Sequence, residues 1–193
     1  LIISSYQGGR LALMGWLYSR GEARGHSRNA LFTMAFAASE LAYPLLFPWY
    51  FAGTVHKVPL LTQTAELGGP ILIGVLVVLV NLALSEVVFA RLESRAINVK
   101  QIALLLVAPA LGLIFSAVRI LQVDASTAAA PSVRVGLVQG NMGLLQKRED
   151  PGEGLRRHVR LTESLKQQGV DFVVWGESSV TFPVRETVAA AVM

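Results

Sequence analysis

Two stretches of this chain, residues 70–90 and 101–121, restrict its possible folds more than anything else in it. Between them lie Arg91, Arg95 and Lys100. The run Ile71-Leu-Ile-Gly-Val-Leu-Val-Val-Leu-Val80 is apolar on every face of a helix, so periodicity assigns it no buried side. About twenty such residues in a helix cross roughly 30 Å of hydrocarbon. Composition agrees. Of 193 residues, 53% are hydrophobic and 16% charged, with mean hydropathy +0.52. Soluble domains carry about 25% charged residues. The formal charge of +4 is small, and no motif that reads DNA or RNA is present, so nucleic acid is not an expected partner.

Two further apolar segments precede these. Residues 1–19 carry Gln7 and Arg10 and read as part of a spanning helix or an interfacial piece. Residues 29–51 are long enough to span, but Pro44 and Pro48 remove backbone donors and should bend or end the helix. Trp49 and Tyr50 suit a membrane–water interface. Glu40 lies inside this segment and is expected to face other helices or a cavity. Asn81, Ser85 and Glu86 share roughly one face of the next helix and are expected to look into the bundle. Pro109 and Gly112 suggest a kink in the last one.

Arginine and lysine cluster at 20–28 and 91–100. Two spanning segments separate the clusters, so both belong on one side, and their basic character makes that side cytoplasmic. The helix from Gln101 is then expected to leave on the opposite face near Asp124, with Arg119 snorkelling to the interface.

Residues 124–132, rich in Ala, Ser and Thr, read as a linker. After it the apolar density drops. Val133, Val135, Leu137 and Gln139 alternate as in a strand. Gly140-Asn-Met-Gly143 turns the chain, and residues 147–152 form a polar loop. Residues 154–168 are an amphipathic helix with a stripe of Leu155, Val159, Thr162 and Leu165, opposite a solvated basic face. Gly169 caps it. Then comes Val170-Asp-Phe-Val-Val-Trp-Gly-Glu177-Ser-Ser, a short buried strand ending at a glycine and a carboxylate. Strand, helix, strand predicts a βαβ unit with a parallel pair.

Glu177 therefore sits at the carboxyl end of a strand, where open α/β sheets place ligands. Partial desolvation there raises a carboxyl pKa and suits a proton acceptor. From spacing alone, the simpler reading is a solvated carboxylate in the loop after a strand. With no cysteine in the chain, thiolate metal sites and a thiol nucleophile are excluded within it, and no His or Cys pair has metal-ligand spacing. No metal or other cofactor is expected. The first residue, Leu1, and the terminal Val188-Ala-Ala-Ala-Val-Met193 read as a fragment at both ends.

Three features together resemble the apolipoprotein N-acyltransferases, membrane enzymes of the nitrilase (carbon–nitrogen hydrolase) superfamily. Val135-Gly-Leu-Val-Gln-Gly-Asn141 resembles the family's first nitrilase strand and Gln-Gly-Asn turn. Val173-Val-Trp-Gly-Glu177-Ser-Ser resembles the segment ending in the catalytic glutamate, with Gly176 where the family usually has proline. Phe47-Pro-Trp49 and the spanning helix after it resemble the membrane part. The fold this implies is an α-helical membrane bundle followed by the start of an α/β nitrilase-like (α-β-β-α sandwich) domain. Residues 1–123 would supply membrane helices, 124–132 the linker, and 133–193 the first part of a periplasmic domain.

The resemblance further implies a Glu–Lys–Cys triad that takes a fatty acyl group from a phospholipid as a thioester. The acyl group then passes to the amino-terminal diacylglyceryl-cysteine of an apolipoprotein. Glu177 would be the catalytic general base, and the Lys and Cys would lie beyond this fragment, leaving the fragment inactive. The expected partners are a phospholipid donor, an apolipoprotein acceptor and the bacterial inner membrane, with the catalytic domain facing the periplasm. Two other readings are a non-catalytic nitrilase-like scaffold and a transporter-type bundle built on Glu40, Asn81 and Glu86.

Overall fold

The computed structural model describes residues 2–47, 49–176 and 179–180. The chain divides into two units, Leu1–Ala129 and Ala130–Met193, each built separately below.

In the first unit, α1 (Ile2–Glu22) packs against α2 (Arg28–Ala42). Glycines allow the close approach at both ends of this contact. A Cβ on Gly9 would fall 2.3 Å from the Tyr43 hydroxyl, and one on Gly21 would fall 2.2 Å from Leu31. The segment 29–51 is not one helix. Helix α2 stops at Ala42 and Tyr43 is extended (φ −73, ψ 125), because the ring of Pro44 disfavours a helical residue before it. The 15 residues of α2 cover only about 22 Å. A 3-10 turn, Phe51–Val55, and the short α3 (Pro59–Thr62) follow.

Next come α4 (Ala65–Leu92) and α5 (Val99–Ala129). Both are long and apolar enough to cross a membrane. Helix α4 is interrupted at Gly68 and Gly69. Gly69 has φ +63, open to glycine at little cost, and the uniformly apolar helix starts afresh at Pro70, as the sequence predicts. Leu84, Leu92, Leu104, Leu111, Ile114 and Leu121 are all exposed. Leucines on every side of a helix pair suit lipid rather than water.

Of the side chains expected to look into the bundle, Ser85 and Glu86 are partly buried and line a pocket with Asn29 of α2 and Gln101 of α5, while Asn81 is exposed. Asn81 donates to the Val77 carbonyl (2.9 Å) and Ser85 to that of Leu82 (2.8 Å), both within α4. Glu86 is tied to the connection between α4 and α5: it accepts from Arg95 (2.7 and 3.0 Å) and from the Asn98 amide (3.2 Å). At the other end of the pair, Arg119 meets Glu66.

The expected linker at 124–132 is helical as far as Ala129. Its alanines are strong helix formers, and nothing breaks the helix before Pro131. Pro109 and Gly112 are both accommodated inside α5.

The second unit is a βαβ arrangement. Strand β1 (Val135–Val138) pairs in parallel with β2 (Phe172–Trp175), with Val135 opposite Phe172 and Val138 opposite Trp175. Between them lie α6 (Leu144–Glu149) and α7 (Pro151–Lys166). Helix α6 replaces part of the expected polar loop. The Gln146 side chain accepts the Gly143 amide (3.3 Å), closing its first turn. Asp150 then caps α7 by accepting the Gly152 and Glu153 amides (3.0 and 3.2 Å), with Pro151 in the first turn.

Helix α7 covers one face of the strand pair. A Cβ on Gly136 would meet Leu165 at 2.7 Å, and Val138 is buried. The inward positions of β1 are thus Gly136 and Val138. Val135 and Leu137, predicted to share a face, do share one, but it is the open face, together with Phe172 and Val174. The strand starts are clipped by Asp171, whose carboxylate accepts the Arg134 amide (2.6 Å).

Candidate functional site

The parallel pair brings the carboxyl ends of β1 and β2 side by side. Residues 139–142, Lys147, His158, Gly176 and Ser179 line a small pocket there, of about 60 Å³. The turn after β1 is sharp: Asn141 has φ +47, a left-handed conformation that asparagine tolerates better than most residues. Arg157 reaches the Gly140 carbonyl (3.4 Å) while held by Glu153 (2.7 Å), so α7 anchors the turn.

One lining residue, His158, belongs to a block of three packed side chains. His158 is 5% exposed, and its Nδ1 lies 2.7 Å from the Gly154 carbonyl. A carbonyl only accepts, so Nδ1 carries the proton in this contact. The ring lies against Trp175 (centroids 5.1 Å apart). The Trp175 indole donates to Thr162 Oγ1 (2.9 Å), and Thr162 donates to the His158 carbonyl (2.7 Å). Gly140 abuts the imidazole so closely that a Cβ would fall 2.5 Å from it. The sequence stripe through Leu155 and Val159 missed His158. Gly154, His158 and Thr162 are spaced four apart and form the buried face; Thr162 lies on the expected stripe, but a glycine and a histidine do not register as hydrophobic.

Glu177 lies outside the described residues, so its geometry and environment are not part of this site as described. Its neighbours Gly176 and Ser179 line the pocket, and Ser179 closes a turn onto the Gly176 carbonyl (3.3 Å from the amide).

The basic face of α7 is paired. The Arg156 guanidinium holds the Asp150 carboxyl below its ordinary range by hydrogen bonding, and Arg157, then Arg156, does the same to Glu153. Among the described residues, no group of three or more His, Asp or Glu is arranged to hold a metal.

In the membrane unit, Glu40 is 2% exposed and ion-pairs with Arg10 of α1. Both its oxygens also lie 3.3 Å from the Phe51 amide. One carboxylate thus joins α1, α2 and the 3-10 turn. Tyr6 and Tyr43 close the same end, Tyr6 donating to the Pro44 carbonyl and Tyr43 to that of Tyr6. Glu40 does face another helix, as predicted, while its partner Arg10 was not foreseen.

No curated protein and no solved structure matches the chain. Residues 1–83, from α1 into α4, match the family model described as the apolipoprotein N-acyltransferase N-terminal domain, and over that stretch the chain is similar to that acyltransferase family.

Proposed function

We propose that the protein from which this chain comes transfers a fatty acyl group from a phospholipid to the amino-terminal diacylglyceryl-cysteine of an apolipoprotein. The observation that carries this reading is the coexistence, in one chain, of the family match at residues 1–83 with a parallel βαβ unit whose second strand runs directly into Gly176-Glu177.

In this reading Glu177 is the general base. It takes the proton of a thiol as that thiol attacks the lipid ester, and later manages the proton of the incoming amine. A lysine stabilises the tetrahedral oxyanion. The thiol has to come from the longer polypeptide, because the 193 residues contain no cysteine. The block of His158, Thr162 and Trp175 supports the role of Glu177 by fixing the end of the strand that leads to it. The basic clusters at 20–28 and 91–100 support a periplasmic location for the βαβ unit in this reading.

The test is Glu177→Gln in the full-length protein, read by the mass of a model lipoprotein's amino-terminal peptide. The expected result is loss of the added acyl mass at normal expression and unchanged unfolding midpoint. Full activity of the variant refutes the assignment of Glu177, and no acyl transfer by the unmodified full-length protein would favour a non-catalytic scaffold, the role that Gly176 in place of the family's proline would suit.

A further inference from the structure

Helix α6 turns a charged side chain toward the strand ends. Its backbone is held along its length: the Lys147 amide donates to the Gly143 carbonyl (3.1 Å) and the Asp150 amide to that of Gln146 (3.0 Å). Gln146 and Arg148 are exposed, whereas Lys147 between them is partly buried and lines the pocket at the carboxyl ends of β1 and β2. The acids that follow it in sequence are placed for other work. Glu149, two residues on in the helix, does not share its face. Asp150 meets Arg156 and accepts the Gly152 and Glu153 amides.

The pocket is small, about 60 Å³, and mostly polar. Its described lining sets the Lys147 ammonium among the side chains of Gln139, Asn141, His158 and Ser179, and includes no acid. Gly176 forms part of the wall. Glu177 is the next residue, and consecutive Cα atoms stand about 3.8 Å apart. The chain thus attaches a carboxylate-bearing residue directly to the wall of a pocket that holds an ammonium.

We propose that Lys147 is the positioning residue of Glu177: its ammonium pairs with that carboxylate and keeps it ionised, ready to accept a thiol proton. It is distinct from the oxyanion-stabilising lysine of the acyl-transfer reading. The chemistry follows from sign and distance. Partial burial disfavours a charged carboxylate, and an opposite charge within about 4–6 Å restores it. A compact ammonium on a flexible stem suits a pocket of this size better than a planar guanidinium. The other cationic or titratable groups packed around the pocket are engaged. His158 Nδ1 is committed to the Gly154 carbonyl, and Arg157 is held by Glu153. The consequence for catalysis rests on the acyl-transfer reading; the pairing itself does not.

The test uses the full-length protein in micelles. N-acylation of a model lipoprotein is followed against pH for the unmodified protein, Lys147→Met and Lys147→Arg. A general base works only while ionised, so the rate falls as pH drops through its pKa. Loss of the cation should carry that acid limb upward by about 1–3 pH units, and Lys147→Arg, which keeps the charge, should hold it in place. His158 is present in all three proteins, so its titration is common to the curves. A rate lowered equally at every pH, with the limb unmoved, is what a merely structural lysine gives and overturns the proposal. A second measurement needs no activity. The unfolding midpoint is followed against pH for Lys147→Met, Glu177→Gln and the double variant. Each single change should remove the same acid-side dependence, and the double variant no more than either. Additive losses overturn the pairing. Coupled midpoints in a protein that transfers no acyl group would leave the pairing standing and remove the acyltransferase reading alone.

Discussion

Replacing Arg10 by alanine removes the charge partner, among the described residues, of the Glu40 carboxylate, which is 2% exposed. Glu40 is then left with the Phe51 amide, 3.3 Å from each oxygen, in place of an ion pair. Breaking a buried pair from this side costs about 3–5 kcal/mol. Removing Glu40 instead is milder. The Arg10 side chain is 19% exposed, so its head can reach toward the interface, and the main loss is an unsatisfied Phe51 amide, about 1–3 kcal/mol. In the double variant neither charge remains and the cost falls back to that of the amide and lost packing. The two single effects should therefore exceed the double effect by about 2 kcal/mol or more, above the roughly 0.5 kcal/mol expected for independent sites. The assay is the SDS or thermal unfolding midpoint of the full-length protein in micelles, for Arg10→Ala, Glu40→Ala and both together. Additivity within about 0.5 kcal/mol would refute the claim that this pair fastens α1 to α2.

Three further outcomes follow from the second unit, each measured on the full-length protein. Gly140→Ala drives a methyl to 2.5 Å from the His158 ring and should destabilise by about 1–3 kcal/mol; Gly143→Ala, with open space around it, should not. Thr162→Val removes the acceptor of the Trp175 indole and the donor to the His158 carbonyl, and should cost about 1–3 kcal/mol, read as a red shift of Trp175 fluorescence and a lower midpoint. Asp150 and Glu153 have carboxyl pKa values lowered by Arg156 and Arg157, so their contribution is complete above the unfolded value of about 4 and is lost as pH falls through the depressed folded value. Protection of the α7 amides in hydrogen exchange should fall below about pH 4, and Asp150→Asn should flatten part of that dependence.

Much of this architecture is legible in the residues because proline, glycine and long apolar runs act locally. Pro44 ends α2, Pro70 restarts α4, and Gly169, at φ +66, turns the chain from α7 into β2. The parallel pairing of β1 with β2 follows from strand–helix–strand order. What was missed depends on partners distant in sequence. Alternation cannot say which side of β1 is inward; Leu165, some thirty residues on, decides it by filling the space over Gly136. The inward turn of His158 is set by Trp175 and Gly140. Arg10 belongs with Glu40 only once α1 lies on α2. The missed helical continuation to Ala129 has a different cause: Ala, Ser and Thr between apolar stretches read as linker, while the alanines favour continuing a helix already formed.

If α1 and α2 also enter the bilayer, the Arg10–Glu40 pair bears on how they do so during synthesis. A charged residue at the centre of a helix entering alone raises its insertion free energy by about 2.5–3.5 kcal/mol on the translocon scale. If α1 and α2 partition one at a time, α1 carries that penalty unaided for Arg10 near its middle, and α2 a smaller one for Glu40 in its last turn. If the two dwell together at the lateral gate until both have emerged, opposite charges enter as a neutral couple. The five residues between Glu22 and Arg28 are short enough to keep them adjacent, which favours delivery of this part of the protein to lipid as a preassembled hairpin.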